Sequence, residues 1–250
     1  AEGLKGWEFI FTSRRDDRYG AGGTCDTNND DALGRAETVA TLDDGADWGG
    51  LYIGHTASAS FDHTLITFAG GIVPLEGDFA AFNAIEIHQA EVRIRNSVIE
   101  MNASGTGGTA PSDRFGRLNH AAAAIFVRGA QPVIVDNLIR DNNGPAININ
   151  ANALNYHSVR DSGRSTGEID LITKFFDNQG PLVRRNRLSS EAGNLSTIAG
   201  INGMVVRGET LTTESIWDDT DIVHVLRNTV YVPDLHTYGG LRLESSPSES

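Results

Sequence analysis

The chain has 250 residues, 33 acidic and 20 basic, and a formal net charge of −13. Phosphate binding needs clustered Lys and Arg, so no nucleic-acid partner is expected, and divalent cations are the more natural partners for this much carboxylate. The single cysteine, Cys25, excludes an internal disulfide framework and any multi-cysteine zinc site.

The chain opens on polar, strand-like residues, with Gly6 to Ser13 reading as a strand unit already under way. No signal peptide is recognisable there, so export would rely on a signal outside this segment. Next comes "DTNNDDALGRAE", in which Asp26, Asn28, Asp30 and Glu37 occupy positions 1, 3, 5 and 12 of a calcium-loop pattern. Alternate residues on a tight loop aim their oxygens inward, and a bidentate Glu closes the shell. Asp31 stands where glycine normally permits the sharp turn, so a solvated acidic turn is the competing reading.

From Gly50 onward one theme repeats. Short apolar strands with small residues before them occur as "GLYI" (50–53), "AIEI" (84–87), "AIFV" (124–127), "AINI" (146–149), "GMVV" (203–206) and "GLRL" (240–243). A second strand follows and leads to a polar residue, then a third short strand. These polar residues are His63, Asn96, Asn137, Asn186 and Asn228. Strand alternation recurs in every unit, and helical periodicity is absent.

An asparagine flanked by apolar pairs, as in "EVRIRNSVIEMN" (91–102), would be costly alone, because its amide needs several partners when buried. Stacked units resolve the difficulty: like positions align, and each amide bonds its neighbours and the backbone. His63, Asn96, Asn137, Asn186 and Asn228 are therefore expected to form a structural ladder. The competing reading makes them ordinary turn residues of a sandwich.

Two stretches break the rhythm, near 150–179 and 207–220, and are expected to be loop insertions. Tyr156, Phe175 and Phe176 in the first make a candidate binding loop or cap an apolar flank. "WDDTD" (217–221) has three carboxylates and reads as a structural turn more readily than a catalytic pair. The seven histidines show no metal-binding spacing, and "GTGG" (105–108) lacks the Lys–Ser/Thr of a phosphate loop. No catalytic residues are assigned. The longest apolar run, Ala121 to Val127, is too short for a membrane span, so no membrane insertion is expected.

The repeating unit resembles coils of right-handed parallel β-helix proteins of the pectate-lyase-like superfamily. "DTNNDD", "DWGGLYI", "DHTLITFAGG" and the tail from Thr210 to Ser246 are similar to repeat modules of large bacterial surface or secreted proteins. The resemblance implies an all-β solenoid of about six or seven coils spanning 1–250 as one domain, outside the cell or at its surface. The absence of complete catalytic signatures favours a non-enzymatic structural or adhesive role, with calcium, from the Asp26–Glu37 spacing, as the candidate cofactor. The alternative is a carbohydrate-active enzyme, a polysaccharide lyase or glycoside hydrolase, with carbohydrate bound in a groove along the helix. Exposed end strands suggest end-to-end self-association into a filament, or further coils of the same chain.

Overall fold

The computed structural model describes residues 9–19, 26–29, 31, 46–75, 78–106, 121–154, 180–189, 201–212, 214–234 and 240–245. Nineteen strands run in chain order, and a single 3-10 turn, Ala151–Leu154, is the one helical element among these residues.

Three parallel sheets carry most of the chain. The first contains β2 (Leu51–Ile53), β7 (Ile85–His88), β10 (Ile125–Arg128), β13 (Ile147–Asn150), β16 (Met204–Arg207) and β18 (His224–Leu226). The second contains β3 (Ser58–Asp62), β8 (Glu91–Arg95), β11 (Val133–Val135) and β14 (Leu182–Arg184). The third contains β1 (Phe9–Phe11), β4 (Thr64–Thr67), β9 (Val98–Glu100), β12 (Leu138–Arg140) and β15 (Arg187–Ser189). From β2 to β16 the chain visits first, second and third sheets in turn, and each return lands one strand further along.

The core lies between these sheets. Ile85, Ile87, Ile94, Ile99, Ile125, Ile134, Ile139 and Ile147 are fully buried side chains of one apolar cluster. Each strand is three to five residues long, so one or two side chains per strand suffice to fill a layer. The β-branched residues suit both the extended backbone and this close stacking.

Corners are sharp. The residue after each strand of the second sheet is left-handed: His63 (φ 49°), Asn96 (49°), Asp136 (59°) and Arg185 (54°). The same holds after the third sheet at Phe68, Met101 and Asp141, and after β7 and β10 at Gln89 and Gly129. One left-handed residue turns the chain abruptly without a longer loop. Units also approach closely: a Cβ on Gly50 would lie 2.0 Å from the Asn83 carbonyl oxygen, so no other residue fits.

Three features depart from the expected rhythm. An antiparallel hairpin, β5 (Ile72–Leu75) and β6 (Asp78–Ala81), interrupts the parallel pattern after β4. The 207–220 stretch is not merely a loop, since β17 (Ser215–Trp217) lies within it and pairs with β19 (Leu241–Leu243). "GLRL" is consequently not a further copy of the first-sheet strand. That position belongs to β18, which pairs with β16. The two segments alternate alike, and pairing partners alone tell them apart.

Candidate functional site

The ladder position is one residue later than the sequence alignment placed it at the first two units. Pairing aligns Leu65, Val98, Leu138 and Arg187, so the residues preceding them, Thr64, Ser97, Asn137 and Asn186, share one column. Thr64 N–H donates to Ser97 Oγ (3.1 Å), Ser97 N–H to Asn137 Oδ1 (3.0 Å) and Asn137 N–H to Asn186 Oδ1 (3.1 Å). Asn137 Nδ2 donates to Asn186 Oδ1 (3.0 Å) and Ile94 O (2.9 Å), and Asn186 Nδ2 to Ile134 O (2.7 Å). Each amide thereby satisfies the backbone N–H that the corner turns out of the ladder of strand pairing.

Asn96 and His63 instead occupy the left-handed corner itself. Asn96 Nδ2 donates to Asp62 Oδ1 (2.9 Å), and His63 Nδ1 lies 2.9 Å from the same carboxylate. A left-handed position favours Asn for its own conformational reason, which is why Asn96 imitates a column residue in sequence. Asn228 lies two residues past Leu226, the last residue of β18 in the first sheet, so it stands at a different corner.

A second column escaped the sequence reading. At the corner after the third sheet, Ala69 N–H donates to Asn102 Oδ1 (2.8 Å) and Asn102 N–H to Asn142 Oδ1 (3.1 Å). Asn102 Nδ2 donates to Asn142 Oδ1 (2.9 Å) and Ile66 O (3.2 Å), and Asn142 Nδ2 to Ile99 O (2.9 Å). Its signal was present as "EMN" and "RDN", each an Asn two residues past a third-sheet strand.

Polar chemistry gathers on the outward side of the first sheet. Tyr52, Glu86, Phe126, Asn148 and Val205 share one register row. Glu86 accepts from Asn83 N–H (2.9 Å) and faces His88 Nε2 at 2.9 Å. Tyr52 stacks on His88 with centroids 4.6 Å apart, and Phe126 lies 5.4 Å beyond. The Arg207 guanidinium sits 4.3 Å over Phe126 and donates to Asn148 Oδ1 (2.7 Å), Asn148 O (3.0 Å) and Val127 O (2.6 Å). Burial lowers the Arg207 pKa to about 10. Glu86, His88, Phe126 and Asn148 are all buried. Acid and imidazole are thus paired with each other, while the guanidinium is committed to Asn148, the Val127 carbonyl and the Phe126 ring. His88 Nδ1 is left buried without a partner.

Two of the three "WDDTD" carboxylates accept from backbone N–H groups. Asp219 Oδ1 accepts from Val183 N–H (3.0 Å) and Asp221 Oδ2 from Arg185 N–H (2.6 Å), so two side chains occupy the free edge of β14. Thr220 Oγ1 accepts from Arg184 Nη1 (3.3 Å).

Of the calcium-loop residues, Asp26 and Asn28 are described, whereas Asp30 and Glu37 lie outside the described residues. Asp31, at the position glycine usually fills, has φ 66° and donates its N–H to Asp26 Oδ2 (3.2 Å). Tyr156, Phe175 and Phe176 also lie outside the described residues. Among the described residues no helix is long and apolar enough to cross a membrane.

No family model matches this chain, and no curated protein or solved structure matches it either.

Proposed function

We propose that the chain is a right-handed parallel β-helix module with a non-enzymatic structural or adhesive role outside the cell or at its surface. The cyclic visiting of three parallel sheets supports the β-helix reading, and parallel crossovers within a sheet are right-handed in nearly all proteins. The observation that carries the functional reading is the commitment of polar groups to the stack. The asparagine columns and Arg207 bond from strand to strand, and Glu86 and His88 pair with each other within β7. Repetitive, self-satisfied polar bonding builds a stiff spacer, and variable loops on such a scaffold are where adhesion would reside. The resemblance to bacterial surface repeats supports the extracellular setting.

The test is incubation of the chain with a panel of acidic and neutral polysaccharides. No new reducing ends or unsaturated products are expected, while binding to immobilised glycans or to cell surfaces is compatible with the proposal. Catalytic turnover on any of them, lost in Glu86→Gln, would overturn it in favour of a carbohydrate-active enzyme.

A further inference from the structure

We propose that Asp17, together with the turn carrying Asp26 and Asn28, holds a calcium ion. The proposal is independent of the β-helix reading and starts from two adjacent carboxylates with opposite circumstances. Asp16 and Asp17 are both 0 % exposed. Asp16 is neutralised: Arg18 Nε and Nη2 donate to it at 2.7 and 2.9 Å, and Thr12 Oγ1 donates at 2.6 Å. That hydrogen-bonded pairing in turn raises the pKa of Arg18.

Asp17 has no such compensation. Its Oδ1 accepts one hydrogen bond, from Thr27 N–H at 2.9 Å, and its Oδ2 is buried with no partner. An ionised carboxylate enclosed this way is strongly disfavoured unless a cation neutralises it. The one bond it makes sets this carboxylate against a turn rich in oxygen side chains. Thr27 is the residue between Asp26 and Asn28, so the Asp17 carboxylate faces the turn whose sequence has oxygen side chains on alternate residues.

The donor set selects the ion. Carboxylates of Asp17 and Asp26, the Asn28 amide oxygen and nearby backbone carbonyls are hard oxygen ligands. Among the described residues no group of three His, Cys, Asp or Glu side chains converges, which fits a site completed by amide and carbonyl oxygens rather than a zinc-type cage. Left-handed Asn29 (φ 59°) and Asp31 (φ 66°) give the turn its tight curvature. Calcium accepts six to eight oxygens in flexible geometry, whereas magnesium demands a strict octahedron and retains water.

Calcium chloride titrated calorimetrically into the chelator-treated 250-residue chain is expected to bind at one site and to raise the melting temperature. Asp17→Asn keeps an acceptor for Thr27 N–H but removes the charge, and is expected to weaken calcium binding about tenfold or more. Asp26→Asn is expected to act in the same direction. Should Asp17→Asn fail to fold, terbium bound to the wild-type chain supplies the second measurement. Its emission, excited through Tyr19, is expected to be displaced by calcium and weakened in Tyr19→Phe, because Thr27 Oγ1 lies 3.4 Å from the Tyr19 carbonyl. No binding heat and no melting shift at millimolar calcium would overturn the proposal. So would an undiminished calcium response in Asp17→Asn, or terbium emission that calcium does not displace.

Discussion

Asn137 and Asn96 look alike in sequence and do opposite work. Asn137 is buried and its side-chain amide closes three bonds, donating to Asn186 Oδ1 and Ile94 O and accepting from Ser97 N–H. Asn137→Leu removes the acceptor for Ser97 N–H and the donor to Ile94 O, leaving buried backbone groups unmet. The expected loss is about 1–3 kcal/mol, read as a lowered midpoint in chemical denaturation. Asn102→Leu is expected to cost a similar amount, since its bonds repeat the same pattern one corner away. Asn96→Gly suits the left-handed corner and should change stability by less than about 0.5 kcal/mol. Equal losses at Asn96 and Asn137 would contradict the column assignment.

At the scale of single elements, the end of the second sheet shows how a parallel edge can be closed without a strand. Asp219, itself buried, receives the Val183 N–H that an additional strand would otherwise take. Side-chain carboxylates on an edge also discourage pairing with another chain. Asp219→Ala should therefore destabilise by about 1–3 kcal/mol, because a buried donor loses its acceptor. Hydrogen exchange at Val183 checks the cause: its amide should lose protection before those of β11 or β8.

The neighbouring strand β18 carries a pH response. His224 stacks on Trp217 at 5.5 Å with the rings 7° from parallel, and its Nε2 is buried without a partner. Burial lowers its pKa below the usual 6.5, partly countered by a backbone bond at Ile222. The folded state then binds the proton less readily than the unfolded chain. This group's contribution is present above about pH 6.5 and is lost as the pH falls below it. Thermal melts between pH 7.5 and 5 should show a decline that His224→Phe reduces, and an NMR titration should place the His224 pKa below 6.5.

At the scale of the whole molecule, several of the exposed apolar side chains among the described residues lie where the sheets stop. Leu226 continues the column of Ile53, Ile87, Val127, Ile149 and Val206, all buried, yet is 55 % exposed. Val223 (66 %) directly precedes β18, Leu243 (71 %) lies on β19 of the β17–β19 pair, and Phe9 (63 %) is exposed on β1, which ends the third sheet. Among the described residues β18 ends the first sheet and β1 the third, while Asp219 and Asp221 occupy the edge of the second, so end-to-end association is a prediction for the first-sheet edge. Mass measured by light scattering should rise with protein concentration, and Leu226→Asp should suppress the rise. A constant monomer mass for the wild-type chain would count against association through these edges.

What the sequence by itself determined was the repeating strand unit, because alternation and recurrence are local properties that burial imposes on each short segment separately. The all-β character, the small residues before first-sheet strands and the polarity of the corners were legible for that reason. Register was not, since a slip of one residue leaves an alternating pattern equally plausible while moving every side chain to the other face. So His63 and Asn96 stand one position before the column, Asn228 stands at a first-sheet corner, and "GLRL" pairs with β17 although its alternation matches a first-sheet strand. The Asn102–Asn142 column was hidden because its members acquire meaning only when stacked. Asp17 was unreadable for a related cause: nothing around it in sequence shows that Arg18 turns to Asp16, leaving the next carboxylate buried against Thr27. Only tertiary structure decides which of two neighbouring charges receives the counter-ion, because that depends on the direction each side chain takes from the folded backbone.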